Sequence, residues 1–150
     1  MVKIKAGSRS DGTAVLEAVP AEALSATTFR LDGSPALAQG AAAGDVIELS
    51  EDGSFRVLSR GGNLAVQLLT EGAFDLRALD ELNATIAGLG GRLDGGESKV
   101  RVFTIPVAAG FPAVESVFND FAARRAGIEW YFANVYDPVD GITPLDWWKS

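Results

Sequence analysis

The side chains with the most chemical character crowd the C-terminal end. Trp130, Tyr131, Tyr136, Trp147 and Trp148 are all the tryptophans and tyrosines of the 150-residue chain, and Phe132 lies among them. Four carboxylates, Glu129, Asp137, Asp140 and Asp146, are interleaved, with no basic residue until Lys149. Aromatic rings are common interface anchors, and carboxylates steer basic partners. The chain has no histidine and no cysteine. That removes imidazole bases, thiolates, disulfides and the usual zinc sites. The pattern points to binding rather than turnover, with no metal and no cofactor. Tyr136, Asp137, Asp140, Asp146, Trp147 and Trp148 are the candidate partner-binding residues.

Other possible chemistry is weaker. Gly88, Gly90, Gly91, Gly95 and Gly96 cluster, but they follow a helix end, whereas a phosphate cradle precedes a helix start. Glu51-Asp52 and Asp80-Glu81 are adjacent carboxylates on a turn and on a helix's polar face. Acid–base pairs must instead converge in a pocket. A serine or threonine nucleophile would need a lysine or amine base, and none of Lys3, Lys5, Lys99 and Lys149 falls in a Ser-x-x-Lys motif. No Asp-x-Asp-x-Asp-Gly calcium loop occurs. Arg124-Arg125 ends a helix, where cations interact favourably with the dipole. Arg56, Arg60 and Arg101 fall on strand candidates.

Composition sets outer bounds. A hydrophobic share of 47% supports a packed interior. Net charge of −7 argues against nucleic acid and anionic membranes, both of which need Lys/Arg footprints. No segment has the apolar length of a signal peptide or a membrane span, so a cytoplasmic location is expected.

The elements that must carry these residues can be read from periodicity. Residues 1–12 are polar and Gly/Ser-rich, a flexible start. Thr13–Val19 and Thr27–Leu31 are strand candidates. Ala36–Ala43 is a small-residue connection. Val46–Leu49 and Phe55–Leu58 flank Asp52-Gly53 as a hairpin. Leu64–Leu69 reads as a strand. Asp75 caps a helix with Leu76, Leu79, Leu82 and Ile86, stapled by Phe74 and ended by Gly88. Leu93 marks a strand before the Asp94-Gly95-Gly96-Glu97 turn, and Val100–Ile105 is the next strand. Pro112 opens a second helix with a Val114, Val117, Phe118, Phe121 stripe, ended by Gly127. Ile128–Val135 is the last strand. Strand, helix, strand, strand, helix, strand is the ferredoxin-like order. The sheet face away from the helices needs a cover, and the N-terminal lobe is the expected one.

With those elements placed, several motifs resemble the uncharacterised bacterial family called domain of unknown function 4265. They are Leu31-Asp32-Gly33-Ser34-Pro35, then the small residues to Ala43, then Gly44-Asp45-Val46-Ile47. Phe55-Arg56-Val57-Leu58-Ser59-Arg60-Gly61-Gly62-Asn63 follows, lacking the family's histidine, and Val102-Phe103-Thr104-Ile105-Pro106 through Phe121 completes the match. The resemblance spans about residues 14–136. It implies kinship with immunity proteins of bacterial toxin systems.

The expected fold is α+β: a flexible start over 1–12, a β lobe over 13–62, a ferredoxin-like half over 63–136 and an aromatic, acidic tail over 137–150. The expected function is non-catalytic protein binding, most concretely neutralising a basic toxin domain by occlusion. The alternative is a small-ligand sensor with a pocket between the lobes. An enzyme using Asp45 or Arg60, or a homo-oligomeric structural subunit, are further rivals. The tail itself reads equally as interface or as a lid over the sheet.

Overall fold

A computed structural model describes residues 1–149 of the chain; Ser150, the last residue of the expected tail, lies outside the described residues. Its centre is β7 (Asn63–Thr70). Leu64, Val66 and Leu68 project to one face and join the main core, while Ala65 and Gln67 project to the other. Both faces are covered, which is why this strand is a nearly unbroken apolar run rather than an alternating one.

The sheet around it has the order β10-β7-β9-β8, all antiparallel, with β8 at Arg92–Gly95, β9 at Val100–Pro106 and β10 at Ile128–Phe132. That is the order the ferredoxin-like pattern predicts. Helices α1 (Leu76–Gly88) and α2 (Phe111–Ala123) lie on one face. Asp75 caps α1 by accepting from the backbone N–H groups of Arg77 and Ala78. Phe74 and Leu79 lie in the same core cluster. Pro112 stands in the first turn of α2. Val114, Phe118 and Phe121 are buried, with Val117 at the margin.

The N-terminal lobe holds β1 (Val2–Ser8) paired with β2 (Ala14–Val19), and a second sheet of β3 (Ala21–Ala23), β4 (Thr28–Leu31), β5 (Val46–Leu49) and β6 (Phe55–Ser59). Pro20 separates β2 from β3, so one bent stretch serves both sheets. Val2, Ile4, Val19, Leu31 and Ile47 form a second core.

Four expectations need correction. Residues 1–12 are not a flexible start, because Val2 and Ile4 are buried on β1 while Lys3 and Lys5 face solvent. That strand is held by its ladder to β2, a partner that local composition does not reveal. Gly88 does not end α1. The helix runs through it, Leu89 follows, and Gly90 takes the left-handed turn with φ of 82°. The last strand stops at Phe132, because the Ala65 N–H bonds to the side-chain oxygen of Asn134 (2.9 Å). Finally, Gly127 does not end α2, which stops at Ala123 with Arg124 as its C-cap. The second face of the sheet is covered by the N-terminal lobe, as expected, through its 34–45 connection. Gln67 donates to the carbonyls of Pro35 and Ala38 (3.1 and 3.0 Å), and Ala42 packs with Ala65 and Ala133. Alanines suit this position because backbone must approach sheet closely.

Candidate functional site

The connection from 34 to 45 is where the lobes are joined, and buried polar groups do the joining. Ser34, on that connection, sits among Asp94 and Thr104 of the sheet. Its N–H donates to Asp94 (2.7 Å), its hydroxyl shares a hydrogen bond with Thr104 (2.6 Å), and it accepts from the N–H of Ala43 (2.9 Å). Thr104 also donates to Asp94. From the other side, the Glu17 carboxylate accepts from the N–H groups of Ala36, Leu37 and Ala38 (2.5, 3.0 and 2.9 Å). An alanine-rich connection has no side-chain acceptors of its own for these donors, and Glu17 supplies them.

Asp45 is the hub of this seam. It is 1% exposed and accepts from the N–H groups of Ala42 (3.0 Å) and Gly61 (2.8 Å). Arg60 reaches it at 3.4 Å and donates to the Gly40 carbonyl at 2.8 Å. The two motif stretches around Gly44-Asp45 and Arg60-Gly61 therefore meet in space. Their backbones touch: a Cβ on Gly61 would lie 2.5 Å from the carbonyl carbon of Gly44, so only glycine fits there. Burial pushes the Asp45 carboxyl above its usual range, against the pull of the two N–H bonds and the Arg60 charge. Burial likewise lowers the Arg60 pKa, and Asp45 opposes that shift.

Next to the seam a groove of about 960 Å3 opens between β1, β6, the connection and the tail. Lys5, Phe55, Val57, Leu37, Arg60 and Val139 line it. It lies where the β lobe meets the tail, not between the β lobe and the helices.

The structure divides the six candidate residues of the tail. Trp147 and Trp148 pack against the margin of the main core. Trp147 donates its indole N–H to the Asn134 carbonyl (2.8 Å), and the Arg60 guanidinium carbon stands 5.7 Å from its ring. Trp148 meets Phe111 edge to face at 5.2 Å. These two rings close the core as a lid. Tyr136, Asp137 and Asp140 stand apart from them, on a loop whose ends are tied by a bridge between Tyr136 and Pro144. Asp137 accepts from the N–H of Val139 (2.8 Å), and Asp140 from those of Ile142 and Thr143 (both 2.9 Å). Asp146 adopts a positive φ of 57° and pairs with Lys149 at 3.3 Å. Two residues on this loop escaped the sequence reading. Val139 is 94% exposed and Ile142 76%. The Asx-turn chemistry of Asp-Pro-Val and Asp-Gly-Ile was a usable signal that these aliphatics would be held at a tip.

The Thr143 hydroxyl, then the N–H groups of Thr143 and Ile142, hold the Asp140 carboxyl below its usual range. A depressed folded-state pKa contributes stability above the unfolded value and loses it as pH falls through the folded one. The tip is therefore expected to loosen only under acid. Protection factors of the Ile142 and Thr143 amides, which remove the intrinsic slowing of exchange in acid, should fall below the normal carboxylate range, while core amides in β7 stay protected. An equal fall in both places would contradict this.

The architecture thus defines an α+β protein with a ferredoxin-like half and a β lobe sewn to it through Ser34 and Gln67. The chain belongs to the family described as Domain of unknown function (DUF4265), whose family model matches residues 17–130. No curated protein matches it. Among solved structures it is similar to a hypothetical protein from Neisseria gonorrhoeae at 14% identity. That match has a TM-score of 0.65 and covers 87% of this chain and 91% of the other. At that identity the likeness is one of fold. Among the described residues, no helix is long and apolar enough to cross a membrane.

Proposed function

We propose that this protein is a non-catalytic protein-binding module that engages its partner through the tip of the C-terminal loop. The observation that carries the reading is the pairing of exposure with rigidity. Val139 and Ile142 project almost fully into solvent from a loop fastened by Asp137, Asp140 and the Tyr136–Pro144 bridge. An aliphatic group that is already ordered loses little entropy on docking. Asp137 and Asp140 add negative charge beside it, which suits a basic rim on the partner. The most specific form of the reading comes from the motif resemblance alone: occlusion of a basic bacterial toxin domain. Trp147 and Trp148 serve as the platform on which the loop stands.

The test uses two variants of the whole chain in capture of protein from the source cell. Val139→Asp with Ile142→Asp should leave the melting midpoint unchanged and weaken capture by tenfold or more, about 1.4 kcal/mol or greater. Trp147→Ala should instead lower stability by about 2 kcal/mol, less than the ~3–5 kcal/mol of a fully buried ring. Undiminished capture by the double variant would sink the proposal. So would a Trp147→Ala protein that melts normally yet loses its partner, because the anchor would then be the indole.

A further inference from the structure

We propose that the open seam between β1 and β6 docks an extended acidic peptide segment, which adds as a strand and places a carboxylate on Arg60. This surface adjoins the loop tip, since Val139 stands on its rim, but it has the opposite charge preference.

The backbone makes the first argument. In the ladders, β1 pairs with β2 and β6 pairs with β5, each on one side. Among the described residues, the bond from Lys5 N–H to the Gly53 carbonyl (2.8 Å) ties β1 to the start of the β6 region. Beyond it the strands diverge. The β1 register shifts between Lys5 and Gly7, and the groove opens there. Nothing lies within 4 Å of where a Gly7 Cβ would stand, so a second backbone can approach. Unpaired strand edges with a gap between them are the usual template for strand addition. Phe55 and Val57 alternate along β6 and both line the groove, offering apolar contacts at a strand's two-residue period.

Charge makes the second argument. The chain carries a net charge of −7, yet the ionisable residues lining this groove are Lys5 and Arg60, both cationic. Arg60 uses Nη1 for both of its hydrogen bonds, to Gly40 and Asp45. Among the described residues its Nε and Nη2 make none, and that pair of donors is the fork that fits a carboxylate side-on. Asp45, behind it, already accepts from Ala42 and Gly61 and so holds the guanidinium in place. A basic segment would meet like charge in this groove, and a neutral one would leave the fork unmatched.

The probe is a pool of eight-residue peptides, capped at both ends, alternating Glu with a mixture of Val, Thr and Phe. It is titrated into the full chain by calorimetry and followed by backbone amide shifts. Saturable binding is expected, with shifts at residues 5–7 and 54–57. The same pool with Gln for Glu should bind about tenfold more weakly. N-methylation of alternate peptide nitrogens should abolish binding, because the added strand would lose its N–H donors. Lys5→Glu, at an exposed position, should reduce affinity by about tenfold without moving the melting midpoint. Arg60→Lys keeps the charge facing Asp45 but not the fork, and should also weaken binding. The proposal is overturned by absence of saturable binding at millimolar peptide, by shifts confined to other residues, or by equal binding of a Lys-for-Glu pool. It is also overturned if free glutarate binds as tightly as the peptides, since the groove would then be a small-anion site.

Discussion

Replacing Asp45 with alanine is expected to cost about 3–5 kcal/mol of stability, the range for removing one partner of a buried ion pair. Three donors would lose their acceptor: the N–H groups of Ala42 and Gly61, and one contact of Arg60. The loss would fall where β4, β5 and the β6–β7 link meet, since the Asp45 carbonyl also accepts from the N–H of Leu31 (2.9 Å). Asp45→Asn should cost less, about 1–3 kcal/mol, because an amide keeps one acceptor oxygen but turns a donor toward a donor. The pH dependence has a definite sign. The Asp45 pKa is raised in the fold, so its contribution is fully present below the ordinary carboxylate pKa and is lost as pH rises through the folded value. The stability gap between the native protein and Asp45→Asn should therefore narrow with rising pH over that window. Denaturant titrations at several pH values measure both effects. An Asp45→Ala protein within about 1 kcal/mol of native would show that the seam is not held by this carboxylate.

Phe118→Ala should be comparably damaging, at about 3–5 kcal/mol. Phe118 is fully buried on α2, with its ring 5.4 Å from that of Phe103 and 5.5 Å from that of Trp130. Truncation would leave a cavity between helix and sheet that neither neighbour can fill without leaving its own packing. Such a loss approaches the whole stability of an ordinary domain. Phe118→Leu should recover much of it, since most of the buried volume returns. Denaturant melts that place the alanine variant within about 1 kcal/mol of native would mean that α2 does not present this face to the core.

Much of the fold could be read along the chain because the ferredoxin-like half is built from local periodicities. The α1 leucines and the α2 stripe repeat at helical spacing, Asp75 and Pro112 mark the starts, and Asp52-Gly53 marks the hairpin. Each of those signals is written within about a dozen neighbouring residues and answers to backbone physics alone. The strand order β10-β7-β9-β8 then follows from two short-looped crossovers of one hand. The Val-Lys-Ile-Lys alternation of β1 was present too, but a four-residue alternation beside a polar stretch is too short to stand without its partner strand.

The absence of histidine and cysteine, and the aromatic and acidic character of the tail, were settled by composition. What each tail residue does was not. Trp147 became a lid because Asn134 and Arg60 stand beside it, and both come from other parts of the chain. Val139 and Ile142 became exposed because Asp137 and Asp140 spend their oxygens on the loop's own N–H groups. Asp45 and Arg60, fifteen residues apart, became a buried pair only because Gly44 and Gly61 let two backbones touch. Sequence determines which groups can pair and which local shapes the backbone prefers. Which of them are taken from water, and against whom, depends on contacts between distant segments, and only the tertiary structure decides that.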